Sequence, residues 1–192
     1  MAANPLSRRH FVGAMASAVA ATWITGMQHY SMALAAPTPG GVPLLPPVLS
    51  PEQRRDLDAL TALILPTDQT PGAREARVVD FIDRGLASFA SDQQALFEQG
   101  LADLGARVAA RHSPATRFAD LDGEAQQALA EELDGEKSEF FGAVRIASIA
   151  GLLANPEYGG NASKVGWQLI GFQDQFGWQP PFGDYDRESP PE

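Results

Sequence analysis

Cysteine is absent from all 192 residues, and that gap excludes disulfide staples, thiolate metal sites, iron–sulfur clusters and the CxxCH attachment of c-type haem. Histidine is almost as scarce, occurring only at His10, His29 and His112. Positive charge is thin as well. Fourteen Lys and Arg stand against 24 Asp and Glu, a formal net charge of −10. Phosphate backbones and anionic headgroups are neutralised by clustered Lys and Arg, so no nucleic acid partner is expected. No glycine-rich GxGxxG or GxxxxGK[ST] loop occurs, so nothing here cradles a pyrophosphate, and any flavin or nicotinamide must be held elsewhere.

What is present begins with an address. Ser7-Arg8-Arg9-His10-Phe11-Val12-Gly13 follows the twin-arginine export pattern at Arg8, Arg9 and Phe11, departing at Gly13. A weakly apolar run to about Met27 follows. Ala33-Leu34-Ala35 reads as an A-x-A cleavage pattern, and cleavage after Ala35 or Ala36 is expected. Residues 1–36 are therefore taken as a twin-arginine signal peptide and 37–49 as a Pro/Gly-rich linker. The competing reading is a retained hydrophobic helix or anchor, but the run is Ala- and Gly-rich and short of the ~20 apolar residues a span needs. No later stretch qualifies as a span. All 24 acidic residues lie after position 50. Removing Arg8 and Arg9 leaves 12 basic residues against 24 acidic ones, a net charge of −12.

Residues 50–192 read as one irregular all-α domain of about five helices with a Gly- and aromatic-rich extension from 156. Ser50-Pro51-Glu52-Gln53 is a helix start with capping-box spacing, and Leu57, Leu60, Leu63 and Ile64 recur at helical period until Pro66. A second helix is expected to start near Pro71, burying Val78, Val79, Phe81, Ile82, Leu86 and Phe89. Ser91 to Gln94 repeats the capping-box spacing before a third helix with Leu96, Phe97, Leu101, Leu104 and Val108 on one side. Gly123 to Leu133, capped by Asp122, and Ser138 to Leu153 supply the fourth and fifth. Val165 to Gly171 is a possible short element. No run alternates with period two long enough for a sheet.

Chemistry-bearing candidates are few. With His10 and His29 in the leader, His112 is left alone, and one His without Cys gives neither a catalytic triad nor a nitrogen–sulfur metal site. Asp80 and Asp83 are three apart on one helix face and could act as acid and base, yet Arg74, Arg77 and Arg84 are in helical reach, so ion pairing explains them more cheaply. Asp68, Glu75, Asp80 and Asp83 lack the spacing of a calcium loop. Asn161-Ala162-Ser163 matches a glycosylation sequon without further support. The aromatics Tyr158, Trp167, Phe172, Phe176, Trp178 and Phe182 are candidate anchors for a partner, where Trp and Tyr are enriched; the alternative is packing on the chain's own core. No catalytic, cofactor-binding or metal-binding residue is assigned. Three functions remain open: an accessory subunit, a free periplasmic carbohydrate-binding module using the Trp-rich tail, and a hydrolase using Asp80 and Asp83.

Two segments carry a resemblance. LTALILPTDQTPGAREARVVDFID, Leu60 to Asp83, and FFGAVRIASIAGLLANPEYGGNASKVGWQLIGF, Phe140 to Phe172, together resemble the gluconate 2-dehydrogenase subunit 3 family, the small or gamma subunits of membrane-associated sugar and polyol dehydrogenases. The stretch GLLA at 151–154 departs from the more aromatic sequence expected there. The resemblance implies a non-catalytic subunit that escorts a large FAD-containing subunit of the glucose-methanol-choline oxidoreductase type through the twin-arginine translocase. It also implies a periplasmic location, FAD in that partner, and haem c in a separate cytochrome subunit that takes the electrons.

Overall fold

The computed structural model describes Trp23 and residues 25–27, 46–114 and 117–175. The domain is all-α, and the described residues contain no strand. From Pro51 onward the described residues form six α-helices: α1 (Pro51–Ile64), α2 (Val78–Leu86), α3 (Gln94–Arg111), α4 (Gly123–Gly135), α5 (Glu139–Leu153) and the short α6 (Val165–Leu169). Among the described residues no helix is long and apolar enough to cross a membrane.

The start of α1 follows from local chemistry. The Ser50 hydroxyl accepts the Gln53 N–H at 3.2 Å, and the Gln53 side chain accepts the Ser50 N–H at 2.8 Å, so both ends of the capping box are made. Asp122 caps α4 through the Ala125 N–H at 2.8 Å, and Ser138 caps α5 through the Phe141 N–H at 3.3 Å.

Two starts differ from expectation. The second helix begins at Val78 rather than near Pro71, because the loop after α1 folds back on that helix. The Ala73 N–H donates to the Leu65 carbonyl at 2.9 Å, and the Glu75 carboxylate accepts the Thr67 hydroxyl and the Gly72 N–H at 2.7 and 2.9 Å. Arg77 then takes a left-handed conformation, φ 55, immediately before α2. The Ser91–Gln94 capping box is not made. A short 3-10 turn, Ser91–Gln93, stands in its place, and the Gln94 amide donates to the Leu86 carbonyl at 2.7 Å, tying α3 to the end of α2.

Helix α5 is the centre of the packing, touching α1, α2, α3, α4 and α6. Nine of its 15 residues are buried, including Phe140, Phe141, Val144, Ala147 and Leu152, as a helix apolar around most of its circumference requires. Around it Leu57, Leu60, Phe81, Ile82, Leu86, Phe97, Leu104 and Val108 are fully or nearly fully buried. Each such side chain contributes roughly 1.5–3 kcal/mol by leaving water. Most of the periodic positions read from sequence face this core; Leu63, Ile64, Phe89, Leu96 and Leu153 are packed at its rim.

One core residue comes from the stretch that the sequence assigns to a leader. Trp23 is fully buried, with its ring 5.4 Å from Phe81, 5.7 Å from Phe89 and 6.3 Å from Phe97 between centroids.

Candidate docking surface

Two surfaces stand out against the acidic exterior, and each is set by a different chemistry. The first is a cleft of about 940 Å³ beside α1, whose walls carry Arg54, Arg55, Arg74 and Arg77. In a chain with 14 basic residues this is a concentration of positive charge, yet every one of the four is paired. Arg54 bridges Asp80 and Asp83, the latter at 2.6 Å; Arg55 meets Asp120 at 2.9 Å; Arg74 meets Asp58 at 2.9 Å; Arg77 meets Asp80 at 2.5 Å.

Asp83 is the buried member of this network. Its side chain is 8% exposed, and besides Arg54 it accepts the backbone N–H groups of Val48 and Leu49, both at 2.9 Å. The end of the linker is thus clamped to α2, and Leu49 is buried with it. Two donors on Oδ1 and one on Oδ2 take most of this carboxylate's acceptor sites, and all three come from the fold itself. Asp80 is occupied in the same way by Arg54 and Arg77. The pair is a structural clasp, and the acid–base alternative has no geometric support. Asp56 makes a second clasp, accepting the Ala119 N–H at 2.9 Å with Arg117 at 3.6 Å. His112 stands half-buried at the C-terminal cap of α3. Among the described residues no group of three or more His, Cys, Asp or Glu side chains is placed to hold a metal ion.

The second surface is the edge formed by α6 and the residues after it. Leu169, Ile170 and Phe172 are 45%, 59% and 43% exposed. These three large apolar side chains, close together in the chain, give this edge exposed apolar surface. Their presentation depends on a turn that the sequence disguises as a sequon. Asn161 is fully buried in a left-handed conformation, φ 46. Its amide donates to the Ala154 carbonyl at 2.9 Å and its oxygen accepts the Gly166 N–H at 2.8 Å. A side chain so enclosed leaves no room for a glycan. Gly160 and Gly166 lie directly on the Gly151 and Leu152 carbonyls, where a side chain would collide with backbone. The turn therefore presses α6 onto the end of α5.

The anchors proposed from sequence separate in space. Tyr158 points inward: its ring meets Phe89 edge-on at 6.3 Å, and its hydroxyl donates to the Met27 carbonyl at 3.4 Å. Trp167 is half-buried, its indole N–H donating to the Leu153 carbonyl at 2.8 Å, and Phe172 packs on it edge-on at 5.0 Å. Lys164 lies 5.8 Å over the Trp167 ring and pairs with Asp174 at 2.6 Å. Phe176, Trp178 and Phe182, like Arg8, Arg9, Phe11, Ala33, Ala35 and Ala36, lie outside the described residues. Sequence reasoning passed over Leu169 and Ile170, which hydropathy alone assigns to a core, and Asn161, whose signal was the preceding Gly159-Gly160 pair.

Among curated proteins and solved structures no match is found. Residues 51–174 match the family model described as gluconate 2-dehydrogenase subunit 3, a span running from the first residue of α1 to beyond the apolar edge. It covers well over half of the chain, which therefore belongs to the gluconate 2-dehydrogenase subunit 3 family.

Proposed function

We propose that this chain is the non-catalytic small subunit of a periplasmic, FAD-dependent sugar or polyol dehydrogenase, and that it escorts and stabilises the large flavin-containing subunit. The observation that carries the reading is membership of a family named as a dehydrogenase subunit, together with an exposed apolar edge at Leu169, Ile170 and Phe172. FAD belongs to a partner of the glucose-methanol-choline oxidoreductase type in this reading, because this sequence offers no glycine-rich phosphate loop. Haem c belongs to a separate cytochrome subunit, because its covalent attachment needs a CxxCH and the chain has no cysteine. Arg8, Arg9 and Phe11 direct the assembled pair to the twin-arginine translocase, a route that carries folded cargo.

Co-expression tests this directly. The large subunit produced without this chain is expected to stay cytoplasmic and inactive, and normal export and activity of the lone flavoprotein would defeat the reading. Replacing Arg8 and Arg9 by Lys is expected to retain both proteins in the cytoplasm. Retention of this chain alone would remove the escort role and leave a simple subunit.

A further inference from the structure

Trp23 belongs to the leader by sequence and to the core by position. It is enclosed by Phe81 of α2, Phe97 of α3 and Phe89 between them. Its exposure is zero. The fit is close on both sides of the contact. A Cβ built on Gly85 of α2 would stand 2.6 Å from the indole Cζ3, and one built on Gly26 would stand 2.6 Å from the Phe89 carbonyl oxygen. Glycine on each partner is what lets the helical residues 25–27 and α2 approach with the indole between them. Tyr158 adds the hydrogen bond from its hydroxyl to the Met27 carbonyl, so contacts to this short segment come from three separate parts of the domain.

We infer that this aromatic seat is an intramolecular binding site for the leader, and that the working protein keeps Trp23 and residues 25–27 as part of its fold. Cleavage after Ala35 or Ala36, the outcome expected from sequence, would cut Trp23 from the chain and leave a cavity the size of an indole among Phe81, Phe89 and Phe97. Cavities of that kind are not closed by relaxation alone, and their cost grows with volume. The Trp23 indole nitrogen is buried with no hydrogen-bond partner among the described residues, so the seat recognises the ring as apolar surface and makes no use of its N–H. Its ligand class is accordingly an apolar helical segment with one flat aromatic anchor and a glycine three residues later.

The intact mass of the chain purified from its own cells tests the inference. The expected mass includes residue 23. A chain beginning at Ala36 or Pro37 overturns the inference whatever its stability. In the full chain, Trp23→Ala is expected to lower the thermal unfolding midpoint by on the order of 10 °C, while Trp23→Phe, which removes the unpartnered N–H and keeps a ring, lowers it by less than half as much. Gly85→Ala is expected to lower the midpoint as well, by expelling the indole. An unchanged midpoint in Trp23→Ala overturns the inference. These readouts concern this chain alone, so a retained leader without any escorted flavoprotein would sink the functional proposal and leave this one standing.

Discussion

Two pieces of chain that precede the first helix are both fastened to α2, and they are fastened by opposite means. Val48 and Leu49 are held on one side by the Asp83 carboxylate, which also takes Arg54. Trp23 is held on the other by Phe81, Phe89 and the bare backbone of Gly85. The polar clasp is directional and intolerant, because each donor it satisfies becomes a buried orphan when it is lost. The aromatic seat is non-directional and scales with the surface it removes from water. Helix α2 can serve both because its nine residues are buried almost all round, with Asp83 as the single buried charge among Val78, Val79, Phe81, Ile82 and Leu86.

Of the two fastenings, the polar clasp should cost more to delete. Asp83→Ala leaves two backbone N–H groups without their acceptor and Arg54 with Asp80 as its remaining carboxylate, and a loss of about 3–4 kcal/mol is expected, most of it from the orphaned donors. Asp83→Asn keeps an oxygen for the Val48 and Leu49 N–H groups and is expected to cost clearly less. Urea denaturation of the two variants measures the difference. Equal losses would mean that the charge on Arg54, and not the backbone clamp, dominates.

Next in size is the turn that carries the apolar edge. Asn161→Ala leaves the Ala154 carbonyl and the Gly166 N–H unpaired in a buried site and gives up a left-handed position that Asn tolerates better than Ala. A loss of about 2–3 kcal/mol is expected, together with a change in Trp167 fluorescence as α6 loosens from α5. Loss of stability without any fluorescence change would show that α6 is held by Trp167 and not by the turn.

The helical class, the capping of α1, α4 and α5, and most core positions were legible because they depend on residues within one or two turns of each other. Ser50 with Gln53 and Asp122 with Ala125 are local facts. The start of α2 was not legible because a Leu65–Ala73 contact and a Glu75 side chain hold residues 73–77 out of the helix. The Ser91 box failed for a similar reason, since Gln94 found the Leu86 carbonyl. At the candidate site, the described members of the aromatic tail divide between inward packing at Tyr158 and Trp167 and outward exposure at Phe172. Exposure at Leu169 and Ile170 depends on how α6 lies against α5, which no pattern along the chain encodes.

Smaller in stability and larger in function is the edge itself. Leu169→Ser with Ile170→Ser should change the unfolding free energy by no more than about 1 kcal/mol, because neither side chain is buried. Under the proposed function the same pair of changes weakens capture of the large flavoprotein subunit at least about tenfold. Pull-down of that subunit from a co-expressing strain reads the effect. Full capture would move the interface away from this edge, and the Arg54–Arg77 cleft would be the next surface to vary.

The smallest effect concerns the loop before α2, where charge does what apolar packing does elsewhere. Hydrogen bonds from the Thr67 hydroxyl and the Gly72 N–H hold the Glu75 carboxyl below the ordinary glutamate value. A carboxyl whose folded value is depressed contributes stability that is fully present above its unfolded value, near about 4.3, and is lost as pH falls through the lower folded value. Glu75→Gln should therefore cost a little at neutral pH and flatten the acid limb of the stability curve below about pH 4. Asp68, held down by Thr70, and Glu132, held down chiefly by Arg111, keep their own shares of that limb, so the flattening is partial. Thermal midpoints of the two proteins measured from about pH 6 to pH 3 should converge. Parallel curves would place the role of Glu75 in the shape of the loop alone and not in its charge.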